Sequence, residues 1–493
     1  MELARAVRIS ISDSQNISLD IVKRLAKEGF KAFFVGGVVR DMVMVGQDHK
    51  PSDFDILTNA PTDEIIRIFS GERVKKVGKA FAICMVNGIE VSSCRSDSDM
   101  DNFPECDLAH RDITINSMAF DPITGTLIDP FDGRKDITDK IIRFTGSPDD
   151  RILEDPLRMV RACRFASLIN GNIDDLALDS IIRYRHLTTK YSSNKNSNTD
   201  NKNITIYNTN INGYVSPERI RYEILKAMSH KKPSLFFKAL HSAGVLELIF
   251  PSLARCDNLD GGPHHGESVL EHCLLTGDAL SARNPILRLA GYLHDAGKYD
   301  AAQIKDGQIT FPEHEKMVDA VIYDLQNLRF SVEEIKFIEA VIRTHMRPLT
   351  PDSTPKAVRR LLAFLKDHDV KWQTFMQMRI ADKAANLAKH PYNRSDIRRR
   401  VGKIWSELRN GELKGGKLPL SIKDLAISGH DVMEILNITP GPEVGRVMNY
   451  LFECVIDEPS LNNFEALREL VIQYLNIACN SLKPQLAAIK ATI

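Results

Sequence analysis

Residues 33–46 read FFVGGVVRDMVMVG and, a few polar residues later, residues 52–58 read SDFDILT. Ala32 to Val35 has the length and composition of a short strand, and Gly36 and Gly37 join it to a segment with helical spacing. In the second stretch Asp53 and Asp55 stand two apart in an apolar run, so on an extended chain both carboxylates project from the same side. Two divalent ions, Mg²⁺ by ligand type, could be shared between them, activating a 3′ hydroxyl and stabilising a leaving pyrophosphate. Upstream, the bare backbone amides of Gly36 and Gly37 can approach a triphosphate, and Arg40 can add charge. A Gly-Gly turn or an Asp-x-Asp pair alone is usually structural. Their order is the informative feature.

Working outward, ISLDIVKRLAKEGF (17–30) places Ile21, Val22, Leu25 and Phe30 near helical spacing, with Gly29 closing the helix. From there to about Gly146, bursts such as FDILT, AFAICMV and ITINSMAF alternate with the helix-like PTDEIIRIF, which predicts a head built on a small sheet. The pattern turns helical from Asp150. An Asn-rich stretch near 192–212 has too little apolar content to pack and reads as a loop. SPERIRYEILKAM follows, with Ser216 as N-cap, Pro217 at the first helical position and Ile220, Ile224 and Leu225 on an apolar face.

With 493 residues, three or four domains are expected. Lys plus Arg and Asp plus Glu both total 65, so nucleic-acid binding must rest on local basic surfaces rather than net charge. The eight cysteines form no CxxC pair, which removes zinc ribbons and points to reduced thiols. No apolar run reaches about 18 residues and the start lacks a charged lead before an apolar stretch, so a cytoplasmic protein with no membrane partner is expected.

HRDITINSMAFDP (110–122) sets Arg111, Asp112 and Asn116 beside an apolar segment. RILEDPLRMVRACRF (151–165) repeats Asp155, Arg158 and Arg161 at three-residue steps, predicting one helical face. Cytosine and adenine both present an amino donor beside a ring-nitrogen acceptor, whereas uracil and guanine reverse the pattern. An accepting Asp155 and a donating Arg158 could therefore select C and A without a nucleic-acid template.

Taken in order, GGVVRD, DFD, RDITIN, EDPLRMVRACRF and SPERIRYE resemble the class II tRNA nucleotidyltransferase and poly(A) polymerase family. The resemblance implies metal carboxylates at Asp53 and Asp55. It implies triphosphate and ribose contacts at Gly37, Arg40, Arg111, Asp112 and Asn116, and a base template with supporting arginines at Asp155, Arg158, Arg161 and Arg164. The implied partners are tRNA, CTP and ATP. His110 stands where the family usually has a second arginine. Cys94 to His110 is shorter than the connection in members that add the final A, which keeps CC-only addition as an alternative.

A second constellation runs HHGESVLEHCL, LAGYLHDAGK, PEHEK, IRTHMRP and IADKAAN. His272, His294, Asp295 and Asp382 supply imidazole and carboxylate ligands from separate helices, while His314 and His345 could complete a second metal position or bind phosphate. This region resembles HD phosphohydrolase domains, which implies a divalent transition metal and phosphoesterase chemistry. His430 in the final helical stretch reads as structural.

The expected architecture is α+β: a nucleotidyltransferase head with a small mixed sheet over 1–145, then all-helical parts. These are a nucleotide-selecting neck over 146–250, an HD domain over 251–395 and a tRNA-binding tail over 396–493. The alternatives are a poly(A) polymerase, since the head motifs are shared, and an RNA-repair hydrolase with an inactive head.

Overall fold

Four consecutive apolar residues, Ala32–Val35, can be buried on both faces only in the interior of a sheet, and they form an interior strand, β1. The computed structural model describes residues 11–45, 53–77, 83–93, 102–189, 214–263, 266–413 and 418–474. The Asn-rich segment near 192–212, and residues 94–101 of the short connection, lie outside the described residues.

The remaining head strands are β2 (Asp55–Thr58), β3 (Val74–Val77), β4 (Ile83–Val86), β5 (Ile89–Ser93), β6 (Ala119–Asp121) and β7 (Thr126–Ile128). Their order is β3-β4-β5-β2-β1-β6-β7. The sheet is mixed, with β2 and β5 parallel and β1 antiparallel to β2 and β6.

Alternation sorts the side chains. Phe34 and Ile56 enter a core with Ile21, Val22 and Leu25 of the helix Ile11–Lys27 and Val38 and Val39 of the helix Gly37–Val45. Phe33, Val35 and Leu57 enter a second cluster on the other face with Phe103 and Leu108. Gly29 stops the first helix at φ +87°, a left-handed conformation favouring glycine.

Beyond the head the chain is mainly helical, with the short parallel pair Ile141–Ile142 and Asn172–Ile173 and the hairpin Gln303–Lys305/Gln308–Thr310 added to the expected helices. Pro217 does stand at the first position of the helix Pro217–Ala227, although the Ser216 hydroxyl makes no capping bond.

The proline after Asp155 breaks the expected single helical face. One helix, Pro148–Glu154, ends before Asp155, whose backbone is extended at φ −152°, and the next runs Leu157–Ile169. A residue preceding proline is driven out of the α region, so the three-residue spacing holds only from Arg158 onward.

Backbone proximity divides the chain into two compact units, residues 1–254 with 327–329, and 255–326 with 330–493. In the second, helices Val269–Ala279 and Pro285–Leu293 approach closely at two glycines. A Cβ on Gly277 would fall 2.4 Å from the Tyr292 ring, and one on Gly291 would fall 2.4 Å from Leu280. Tyr292 is fully buried and its hydroxyl donates to Asp278 at 2.6 Å, so the ring cannot easily yield. Among the described residues, no helix is long and apolar enough to cross a membrane. Gly277→Ala is expected to destabilise the second unit by about 1 to 3 kcal/mol, the usual cost of overpacking. Chemical denaturation would check this, and an unchanged midpoint would contradict the close approach.

Candidate active site and candidate metal centre

Strand pairing places the first site. Val35, just before the glycine turn, lies opposite Asp55, the first residue of β2. Gly36 has φ +71°, and a Cβ there would meet an Arg111 guanidinium nitrogen at 3.2 Å and Asp55 Oδ2 at 3.4 Å. A basic and an acidic group thus converge over a bare backbone turn. Asp53 is exposed just ahead of the strand, Phe54 is buried, and Asp55 is half-buried, so the alternation expected of the pair holds although only Asp55 belongs to the strand.

Nothing local in the chain marks Glu90, the register partner of Asp55 on β5. Burial first, then the nearby Glu90 and Asp53 charges, push the Asp55 carboxyl up to about 6. An acidic cluster of this kind fits a divalent cation, whose charge would offset the repulsion.

Around it runs a chain of charge-assisted bonds. Arg40 donates to Asn116 Oδ1 at 2.9 Å and to Asp41, while Asp107 holds Arg111 at 3.3 Å. Asp112 Oδ2 accepts from Arg161 twice, at 2.8 and 2.6 Å, and its Oδ1 accepts from Asn116 and the Ile113 amide. Burial alone would raise the Asp112 pKa, but Arg161 and these hydrogen bonds bring it below the usual carboxylate range.

Arg161 also reaches Glu223 at 3.3 Å, and Glu223 receives Arg164 on its other oxygen. The Phe165 ring lies beneath three guanidinium groups, 4.0 Å from Arg164, 5.3 Å from Arg161 and 5.5 Å from Arg40. Glu223 and Phe165 were missed from sequence. The signal for Glu223 was there, because it shares the buried face of its helix with Ile220, Ile224 and Ala227.

Both expected template residues have protein partners. Arg219 clamps Asp155 through two bonds, 3.1 and 2.6 Å, and the Leu157 amide donates to Oδ1 at 3.2 Å. Arg158 donates to Glu154 at 2.6 Å and to the Arg151 carbonyl at 3.1 Å. Two syn-directed bonds and one amide leave a single lone pair, on Oδ2, for a further donor.

The second site lies within the other unit. His272 comes from helix Val269–Ala279, His294 caps the end of Pro285–Leu293, His345 caps the end of Val332–Thr344, and Asp382 comes from Trp372–Ala385. They surround Asp295, which is 2% exposed. Its Oδ2 faces His294 Nε2 at 3.3 Å, His272 Nε2 at 3.8 Å and Lys298 at 2.7 Å. Its Oδ1 faces His314 Nε2 at 3.1 Å and His345 Nε2 at 3.4 Å.

The Nδ1 atoms of His294, His314 and His345 meet main-chain carbonyls three residues back, at 2.9, 3.0 and 2.6 Å. Each Nδ1 must carry the hydrogen, which turns the Nε2 lone pair of the neutral ring inward. The Nε2 atoms of His294, His314 and His345 and the Oδ1 of Asp295 are buried without a hydrogen-bonding partner. Orphaned buried atoms of ligand type are costly, and a bound cation would satisfy them together.

Two sets, His272–His294–Asp382 and His294–Asp295–His345, each bring their ligand atoms within 4.8 Å of one another. Against the effect of burial, the surrounding histidines and Lys298 hold the Asp295 carboxyl well below the usual range. His430 is remote in character, paired on the surface with Glu434 at 3.4 Å.

The chain matches three family profiles: a poly A polymerase head domain at residues 32–143, a probable RNA and SrmB-binding site of polymerase A at 214–256, and a putative second domain of tRNA nucleotidyltransferase at 321–471. It is similar to a CCA-adding enzyme of Ligilactobacillus salivarius, 26% identical over 93% of this chain and 96% of the relative. To the CCA-adding enzyme of Bacillus velezensis it is 37% identical, over 36% of this chain and 46% of the relative. To poly(A) polymerase I of Haemophilus influenzae it is 29% identical, over 50% and 54%. Among solved structures it shares the fold of the Bacillus stearothermophilus CCA-adding enzyme in complex with CTP, with a TM-score of 0.61 at 20% identity, covering 94% of this chain and 98% of that one.

The Asp55 pKa sets a testable stability signature. Its folded value lies above its unfolded value of 3.8, so ionisation is penalised in the folded state. The penalty is absent below about pH 4, grows between about 4 and 6, and is complete above about 6. Asp55→Asn is therefore expected to stabilise the metal-chelated protein by about 1 to 3 kcal/mol at pH 7.5 and to have little effect at pH 4. Thermal unfolding at both pH values checks this, and a variant less stable at pH 7.5 would contradict the assigned repulsion.

Proposed function

The chain belongs to the tRNA nucleotidyltransferase and poly(A) polymerase family, and we propose on that footing that it rebuilds the CCA end of tRNA from CTP and ATP without a nucleic-acid template. The observation that carries this reading is the convergence of Asp55 and Arg111 over the Gly36 turn, with Asp53 and Glu90 alongside. The likeness over nearly the whole length of a CCA-adding enzyme favours this over a poly(A) polymerase, where the alignment spans about half of the relative.

Asp53 and Asp55 would hold Mg²⁺, with Glu90 close enough to assist. The ions would supply activation of the tRNA 3′ hydroxyl and charge neutralisation at the departing pyrophosphate. The chain's own residues do the rest. The amides after Gly36 and the guanidiniums of Arg40 and Arg111 receive the triphosphate, while Asn116 presents its amide toward the ribose. Asp112, whose lone pairs are taken by Arg161, Asn116 and the Ile113 amide, holds Asn116 in place rather than touching the sugar as expected from sequence.

Asp155 accepts the exocyclic amine through its remaining lone pair, and Arg158 donates to the ring nitrogen after leaving Glu154. Arg161 and Arg164, locked on Glu223, hold this helix against Asp112. We assign residues 1–145 to the head, 146–250 to the neck, 251–395 to the metal-centre domain and 396–493 to a tRNA-binding tail, acting in the cytoplasm.

Transcripts ending at the discriminator, at C and at CC, supplied with CTP alone or ATP alone, test this. CTP addition to the first two and ATP addition to the third is expected, with no product from Asp53→Ala. Incorporation of ATP alone at every end would instead identify a poly(A) polymerase, and failure only at CC would identify a CC-adding enzyme. Asp155→Ala should narrow the preference for CTP over UTP by about 1 to 3 kcal/mol, roughly 5- to 150-fold. Full retention of that preference would remove the template role.

The orphaned Nε2 atoms support a second reading, a divalent transition-metal centre with HD-type phosphoesterase chemistry. His272, His294, Asp295 Oδ2 and Asp382 would hold one ion, and His314 and His345 stand on the Oδ1 side for a second ion or a phosphate. A bound ion there would supply an activated water and polarise a phosphoryl oxygen. Asp295→Ala should abolish metal uptake and any phosphoesterase activity while CTP addition persists. Loss of both activities, or metal content equal to wild type by elemental analysis, would contradict separate sites.

A further inference from the structure

Of the four imidazoles facing Asp295, His272 is held differently. Its Nδ1 meets Glu267 Oε1 at 2.8 Å, where the other three meet main-chain carbonyls. The Glu267 side chain is completely buried. Its Oε2 accepts from two backbone amides, Gly266 at 3.0 Å and Leu387 at 2.9 Å. Leu387 follows the helix Trp372–Ala385, which carries Asp382, and Glu267 directly precedes Ser268, the N-cap of the helix carrying His272. One carboxylate therefore fastens both ligand-bearing helices while gripping the imidazole between them.

We propose that Glu267 is the positioning residue of this centre, fixing His272 as the Nδ1–H form so that Nε2 is the metal ligand. The proposal rests on the metal-centre reading above. An ionised carboxylate can only accept, so its neighbour Nδ1 must donate. With Nδ1 fixed as a donor, Nε2 is the nitrogen left to face Asp382 Oδ1 at 3.1 Å and Asp295 Oδ2 at 3.8 Å, and a cation placed among these three atoms would take its lone pair. The carboxylate also makes the imidazole a stronger donor to a cation than a carbonyl partner would, and stops the ring from rotating away.

A glutamine cannot serve all three donors. Its single oxygen is required by the Gly266 and Leu387 amides, which leaves its NH₂ group against His272 Nδ1. That nitrogen must then accept, and the hydrogen moves to Nε2, the atom the metal needs. The reversed amide would set NH₂ against two backbone N–H groups. Aspartate keeps the acceptor-only character at shorter reach.

The test uses the full chain as wild type, Glu267→Gln, Glu267→Asp and His272→Ala, each titrated with Co²⁺ and followed by its visible absorption. Nitrogen-15 histidine spectra of the Zn²⁺-loaded proteins report the tautomer, because without a cation Asp382 at 3.1 Å can hold a proton on His272 Nε2; His272 is identified by the signals absent from His272→Ala. Glu267→Gln is expected to bind about 10- to 100-fold more weakly than wild type and to show Nε2–H at His272. Glu267→Asp should retain Nδ1–H and recover part of the affinity. CTP addition should be unaffected in both, confirming folded protein.

Binding that is lost in His272→Ala but intact in Glu267→Gln, with Nδ1–H retained, would overturn the role of Glu267 alone. Wild type that takes up no Co²⁺ would overturn the metal centre and this proposal together. If Glu267→Gln fails to fold, Glu267→Asp decides: a switch to Nε2–H despite the acceptor-only side chain overturns the proposal.

Discussion

The Asp112–Arg161–Glu223–Arg164 chain ties the loop before the Thr114–Asn116 turn to helices Leu157–Ile169 and Pro217–Ala227. Buried charges are tolerated only when each lone pair and proton is matched, and here two carboxylates alternate with two guanidiniums over the Phe165 ring. Breaking one link would strand its neighbour, at a typical cost of about 3 to 5 kcal/mol. The relative placement of the Arg40–Asn116 contact and the Asp155 elbow therefore depends on this alternation more than on apolar packing. Arg161 is held more firmly protonated by its two carboxylates, whereas burial lowers Arg164, which relies on Glu223.

The two candidate metal sites solve opposite electrostatic problems. In the head, carboxylates crowd together and burial and mutual repulsion raise Asp55, so a cation relieves an existing penalty. Around Asp295, the Lys298 ammonium at 2.7 Å already offsets the buried carboxylate, and what lacks a partner is a set of imidazole lone pairs. Oxygen-rich crowding suits a hard ion such as Mg²⁺, and inward imidazoles suit a transition metal. The chemistry of each site follows from what its neighbours leave unsatisfied.

Local signals carried much of this from sequence. The strand, glycine turn and Asp-x-Asp pair were legible because alternation and a left-handed glycine are encoded within a few residues. The His and Asp set was legible as a group, since ligand types are distinctive even when scattered. Asp155 was misplaced because the three-residue count ran through Pro156, which splits the helix. Glu90, Arg219 and Glu223 went unseen because an acidic or basic residue looks like solvated surface until the fold brings its partner from 35 to 64 positions away. Glu223 could have been suspected from its apolar helix face, and Glu267 from its place five residues before His272, although its bond to the Leu387 amide spans 120 positions.

The opposition of Val35 and Asp55 has a consequence for how such chains can diverge. Side chains on a strand alternate, so parity is fixed from Asp53 through Leu57 and an odd change in length there would hand the acidic positions to the face where Phe34, Phe54 and Ile56 pack. Between the paired acids only whole two-residue steps keep both carboxylates on one side of the sheet.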